Sequence, residues 1–200
     1  MPRTEFSPSI SSRPVYGALT SHGASPAIML AEGPGAEALI ELAGRDASVM
    51  DRAHVIFVPA GTGFGDTLRA LNPKLYHEAP SMAAASERFT KALTDALMGT
   101  RLYLAGTEGL IGQASAQALA VGFPAGAIQS EHRGSIARLM QCVHCKGMTD
   151  NVTTDPFICS HCGLTLFVRD HFSRRLGAFQ GVCVDAETPG IIPETQEIQP

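Results

Sequence analysis

The sequence predicts an α/β domain followed by a small four-cysteine metal module, and three observations predict it. Apolar, β-branched runs alternate with alanine-rich runs through residues 27–133. Four of the five cysteines fall in two close pairs, C-V-H-C from Cys142 to Cys145 and C-S-H-C-G from Cys159 to Gly163. The first pattern gives way to the second near Gly134. With 200 residues, 44% of them hydrophobic, the chain is long enough for one sizeable core and one metal-stapled module.

Residues 1–26, rich in Ser and Pro and poor in large apolar side chains, read as a flexible or partner-bound arm rather than a core element. Ala27 to Ala31 reads as an opening strand, and Gly35 to Ala43 as a helix burying Ala36, Leu39, Ile40 and Leu42. His54 to Val58 is β-branched and aromatic, as a central strand requires. It runs into P-A-G-T-G-F-G, whose Gly61 and Gly63 let the backbone turn sharply and approach a phosphate or a carboxylate. No G-K-S/T follows and the spacing is not G-x-G-x-x-G, so a purely geometric turn is the preferred reading.

Ser81 to Met98 reads as a helix capped by Ser81, with Phe89, Leu93 and Leu97 repeating on one face. Arg101 to Ala105 reads as a strand with Leu102 and Leu104 on one side and Tyr103 on the other. Gly106-Thr107-Glu108-Gly109 turns into a second helix striped by Ile111, Ala114, Ala118 and Val121, which Gly122 and Phe123-Pro124 end. Ala127 to Gln129 is a short strand before Ser130-Glu131-His132. A strand, a glycine turn and a helix aim backbone dipoles at the carboxyl edge of a sheet, where a nucleotide or an acidic group binds.

Cys142, Cys145, Cys159 and Cys162 carry the strongest chemical signal. In a C-x-x-C knuckle, backbone amides donate to sulfur and stabilise two adjacent thiolates, so two knuckles complete a tetrahedral four-sulfur site. Zn2+ is the first candidate and a single iron the alternative, while a thiol or disulfide role stays open. His144 and His161 read as exposed knuckle residues or hydrogen-bond donors beside the ligands, and Cys183 as a buried thiol.

Gly163 relieves the second turn and Leu164 to Val168 reads as a strand. The following R-D-H-F-S-R-R-L-G-A-F gathers Arg169, Arg174 and Arg175 with Phe172 and Phe179, a composition suited to a protein interface. A solvated or internally paired arginine cluster is the competing reading. The organisation expected is an arm over 1–26, an α/β domain over 27–133, a metal ribbon with its docking segment over 134–192, and a polar tail over 193–200.

Two resemblances rest on these residues. L-Y-L-A-G-T-E-G-L-I-G, with G-F-P-A-G-A-I-Q-S-E-H after it, resembles the end of the pyridine-nucleotide domain of ferredoxin reductases. In that comparison Gly106 and Gly109 match the family's glycines, Glu131 its acidic position, and Ala105 and Thr107 replace its cysteine and proline. The resemblance implies a reduced, derived reductase-like fold. The segment from Cys159 to Val182, with the Cys142–Cys145 knuckle in register, is similar to the DmmA-type small subunits of bacterial dimethylamine monooxygenase. This resemblance implies a partner in a multicomponent, NADPH- and O2-dependent enzyme that demethylates dimethylamine to methylamine and formaldehyde. It also implies haem on one partner subunit, and FMN with a 2Fe-2S cluster on a reductase subunit, in a hetero-oligomer.

Nothing in the chain itself reads as sufficient for oxygen chemistry: there is no C-x-x-C-H and no plant-type iron–sulfur cysteine set. The expected function is an accessory subunit without its own main redox centre. The competing enzyme reading sets Gly61, Gly63, Gly106 and Gly109 around NADPH with Glu131 near the reacting centre. A third reading is a nucleic-acid-binding ribbon, against which the net charge of -4 offers no global attraction to phosphate backbones. With no leader pattern or membrane-spanning apolar run, the cytosol is the expected compartment, where thiolates outlast disulfides.

Overall fold

Side chains of β1 (Ala27–Glu32) are buried on both faces, Met29 and Ala31 on one and Ile28 and Leu30 on the other, as only a covered central strand permits. In the computed structural model, which describes residues 10–199, β1 lies between β2 (Ala53–Val58) and β4 (Arg101–Gly106). β3 (Leu75–Glu78) and β5 (Ile128–His132) complete a five-stranded parallel sheet of order β3-β2-β1-β4-β5. Helices α1 (Ala36–Arg45) and α2 (Phe64–Ala70) cover the face that carries Met29, Phe57 and Tyr103. Helices α3 (Met82–Thr94) and α4 (Glu108–Ala120) cover the face of Leu30, Ile56, Leu102 and Leu104. The winding reverses between β1 and β4, so the carboxyl ends of those two strands frame the crevice where such sheets bind ligands.

The cap predicted at Ser81 is present, and Thr107 supplies one that the sequence reading did not name. Ser81 Oγ accepts from the Ala84 amide and Thr107 Oγ1 from the Leu110 amide, both at 3.2 Å. α3, however, stops at Thr94, because the chain turns through Gly99 at a φ of +85°. Leu97 and Met98 consequently stand in solvent instead of extending the apolar face. Val121 is likewise exposed just past the end of α4, and Ile40 is only half-buried.

The second sheet has the order β7-β6-β11-β10-β9, built from β6 (Arg138–Cys142), β7 (Met148–Val152), β9 (Phe157–Ile158), β10 (Thr165–Ser173) and β11 (Ala178–Cys183). A short pair, β8 (Thr154–Asp155) with β12 (Gln196–Glu197), brings the tail back to this sheet. β11 runs parallel to β6 and antiparallel to β10, so it joins the two knuckle-bearing hairpins. Its Gly181 leaves room for Phe157, whose ring would lie 2.7 Å from any Cβ there.

Both ends of the chain correct the sequence reading. Within the expected arm, Leu19 is fully buried in the first core and Arg13 is 4% exposed. Leu19 earns that place through its amide, which donates to Glu131 Oε2 at 2.9 Å. In the tail Ile198 is buried, its amide donating to the Thr153 carbonyl. Residues 1–9 of the arm and Pro200 of the tail lie outside the described residues. Among the described residues no helix is long and apolar enough to cross a membrane.

Candidate metal centre

The knuckles are near-copies of each other. Lys146 and Gly163 donate their amides to the Cys142 and Cys159 carbonyls at 2.9 and 3.0 Å. The Cys142 and Cys159 amides donate in turn to the Gly147 and Leu164 carbonyls, both at 2.9 Å. The residue after each second cysteine is left-handed, with φ of +63° at Lys146 and +74° at Gly163. Gly163 meets that demand without strain, as its position in the sequence indicates.

The turns bring four sulfurs together. Cys142 and Cys162 Sγ are 3.9 Å apart, Cys145 and Cys159 Sγ 3.7 Å, and all four lie within 4.8 Å of one another. A tetrahedron of sulfurs about 2.3 Å from a metal has edges of roughly 3.8 Å, so the set fits a four-thiolate ion. Cys142 and Cys159 are buried, Cys145 is exposed and Cys162 intermediate. Burial opposes ionisation of Cys159, but hydrogen bonds from the Cys162 and His161 amides and from neighbouring thiols outweigh it and pull the pKa down to about 6.

The two histidines inside the pairs lie on the surface. His161 clasps one knuckle to the other: Nε2 lies 2.8 Å from the Met148 carbonyl, and a Cβ on Gly147 would meet its ring at 2.5 Å. Ser160 adds a bond from its amide to Thr149 Oγ1 at 3.2 Å. Cys183 is not fully buried as expected. It is intermediate, and Sγ donates to Asp185 Oδ1 at 3.0 Å, which holds its pKa above the ordinary thiol value.

The interface candidates divide. Arg169, Arg174 and Arg175 are exposed and Phe172 is half-buried, with Arg169 stacked over Phe167 at 5.0 Å. Phe179 is only 1% exposed and cannot meet a partner. It packs against Phe172 with ring centroids 4.9 Å apart, and the Arg138 guanidinium lies 4.7 Å above it. Sequence reading missed the arginine responsible. Arg138 Nε donates to Glu108 Oε2 at 3.2 Å and Nη1 to Asp170 Oδ1 at 3.1 Å, while Arg13 also pairs with Asp170. Tyr16 completes the group by donating to Glu108 Oε1 at 3.1 Å. These groups tie the first turn of α4 to β6 and β10, and burial with the adjacent Glu108 carboxylate pushes the Tyr16 pKa up.

The nucleotide candidates share the carboxyl edge of the first sheet but do not line an open crevice together. Gly61 and Gly63 are exposed where the chain bends from β2 into α2. Gly106 is buried, with Glu32 and Leu110 closing on it, and Gly109 lies in the first turn of α4. Gly35 rests directly on the end of β4, where a Cβ would lie 2.1 Å from the Ala105 carbonyl oxygen. Thr107 Oγ1 donates across the gap to Glu32 Oε2 at 2.8 Å. Glu131 is the clearest correction. It is 1% exposed, and its carboxylate accepts from Leu19 and from Arg133 Nε and Nη2, at 2.9 and 2.6 Å for the latter two. Arg133 in turn reaches Glu41 at 2.8 Å and Glu37 at 3.4 Å, so the acid anchors a buried bracket instead of facing a ligand.

The fold and site together define a doubly wound α/β protein joined to a four-cysteine hairpin module able to hold a metal ion. The chain belongs to the family of dimethylamine monooxygenase subunit DmmA-like proteins: the model of their N-terminal domain matches residues 8–128 and that of their C-terminal domain residues 139–182. It is also similar to the heme-dependent oxidative N-demethylase delta subunit of Ectopseudomonas mendocina (strain ymp), with 39% identity over 110 residues. That alignment covers 55% of this chain and 63% of the relative, so less than two thirds of the relative's length is spanned.

Proposed function

We propose that this chain is an accessory subunit of an oxidative N-demethylating monooxygenase, holding the haem-bearing and reductase components in register. The observation that carries the reading is membership of the DmmA-like family across both halves, together with a relative named as the delta subunit of such an enzyme. Dimethylamine is the substrate proposed for the assembly and NADPH its reductant. Haem belongs on one partner, with FMN and a 2Fe-2S cluster on another. The first domain is a reduced form of the ferredoxin-reductase nucleotide domain, a reading supported by its strand order and by the glycines at β4. Its crevice is filled by Glu32, Thr107 and the Glu131–Arg133 bracket, which favours scaffold over nucleotide site.

In the metal module, Cys142, Cys145, Cys159 and Cys162 would hold Zn2+, which supplies rigidity and no open coordination position. The chain's own work is to present Arg174 and Arg175 on the turn between β10 and β11, flanked by Phe172 and Arg169, while buried Phe179 supports that surface from behind. Electron transfer between components depends steeply on their spacing, so a rigid spacer governs turnover without touching substrate. The test is co-expression with the haem and reductase subunits, followed by size-exclusion chromatography and a dimethylamine-dependent formaldehyde assay. Arg174→Ala with Arg175→Ala should leave the chain folded but weaken assembly and coupled demethylation together. Unchanged assembly and turnover would remove this surface from the function. Metal analysis with an absorption spectrum separates colourless zinc from thiolate-bound iron.

A further inference from the structure

The amino-terminal edge of the first sheet, opposite the filled crevice, carries charge that the fold leaves uncompensated. β2 and β3 are parallel with Ile56 opposite His77, so alternation turns His54 and His77 to the face covered by α3. α3 supplies Arg88 and Lys91 to the same place. Together with Arg52, Lys74 and Asp95 they line a cavity of about 280 Å3, and an adjoining cleft of about 380 Å3 adds His77 and Glu87.

Not all of these charges are available. Arg52 is held by Asp46 at 3.7 Å and by the Ser25 and Gly23 carbonyls, and Lys91 by Asp95 at 2.8 Å. Lys74 and Arg88 are different: among the described residues neither forms an ion pair, although the whole chain carries a net charge of -4. His54 lines the same cavity, half-buried. Burial first, then the nearby Arg88 and His77, push its pKa below the ordinary histidine value. Two cations without ion-pair partners among the described residues and a histidine whose protonation Arg88 opposes, around one hollow, form a receptor for a polyvalent anion. The remaining wall, with Leu75, Ala92, Ala96 and Leu97, is apolar and suits an organic body attached to that anion.

We propose that this cavity is a binding site for a compact organic phosphate, with Arg88 and Lys74 on the phosphate oxygens and Leu75 and Leu97 against the organic moiety. The Arg88 guanidinium offers paired donors matched to phosphate, and Lys74 acts as a point charge beside it. The site lies away from the four cysteines and from the turn that carries Arg174, and its ligand is independent of the subunit role.

The experiment is an NMR titration of the full-length, metal-loaded chain, first with inorganic phosphate and then with phenyl phosphate. Saturable shifts confined to the surroundings of His54, Leu75 and Arg88 are expected, with phenyl phosphate binding the tighter of the two. The His54 titration midpoint should rise on binding, because the anion offsets the positive field of Arg52, Lys74, His77, Arg88 and Lys91 against which Asp95 and Glu87 act alone. Arg88→Gln and Lys74→Gln each change an exposed side chain, and each should weaken binding about tenfold while leaving the rest of the spectrum in place. No saturable shift with either probe, or unchanged affinity in both variants, would overturn the site. Shifts spread equally over Arg174 and Arg175 would show diffuse attraction in its place. Phenyl phosphate binding no better than phosphate would remove the organic moiety from the assignment.

Discussion

Gly112 of α4 and Gly177, at the end of the turn between β10 and β11, touch backbone to backbone. A Cβ on Gly112 would lie 2.5 Å from the Gly177 carbonyl oxygen, and one on Gly177 2.4 Å from the Gly112 carbonyl carbon. The contact fixes the turn carrying Arg174 and Arg175 against the first domain. Gly112→Ala should therefore push the turn off α4 at a cost of about 1–3 kcal/mol, as overpacking does. Urea unfolding measures the loss, and a variant as stable as the parent would mean that the turn is not held there.

Removing one sulfur should separate the two halves. Cys159→Ser leaves three thiolates for the ion, so metal content should fall and amide signals from β6 to β11 should broaden or move, while those of β1 to β5 persist. Stoichiometric metal in this variant, with an unaltered spectrum, would count against the four-sulfur site.

Lys146 occupies a left-handed position that Gly163 fills in the other knuckle. Among the described residues its exposed side chain bonds only the nearby Val143 carbonyl, so Lys146→Gly should relieve strain and stabilise the metal-loaded module by about 0.5–1 kcal/mol. A lower urea midpoint would refute this.

His132 is buried, and burial holds its pKa below the histidine norm against the opposing pull of the Ser135 carbonyl and Glu108. The unfolded chain then takes up the proton first as pH falls. This contribution to stability is complete above about pH 6.5 and is lost on acidification from there towards the depressed value. His54, lowered chiefly by burial as well, adds to the same slope. Urea midpoints from pH 8 to 5 give the curve, and a His132 ring signal titrating at the ordinary histidine value would contradict the assignment.

Arg138 and Glu108 are both almost fully buried, so Glu108→Ala takes the Nε partner from a guanidinium still held by Asp170 and should cost about 1–3 kcal/mol. Replacing both, with Arg138→Met beside Glu108→Leu, should recover a good part of that loss in the same unfolding measurement.

The cysteine site was legible because ligand chemistry fixes local spacing, which a sequence displays directly. The central strands β1, β2 and β4 were legible because burial on both faces leaves unbroken apolar runs. β11 was not, since A-F-Q-G-V-C places Gly181 mid-strand, and its reason, the Phe157 ring, comes from another hairpin. α2 and β3 are short and half-exposed, so neither period emerges from their composition. Arg13 and Asp170 lie 157 positions apart, and nothing in the neighbourhood of either names the other. The same holds for Glu131, whose acidic character suggested a ligand while its partners Leu19 and Arg133 made it structural.

β11 has a consequence for how the molecule is born. A ribosome that has delivered all four sulfurs has not yet delivered the strand that sets the two hairpins side by side. Until residue 183 has emerged, the nascent chain carries two half-sites that no common sheet joins.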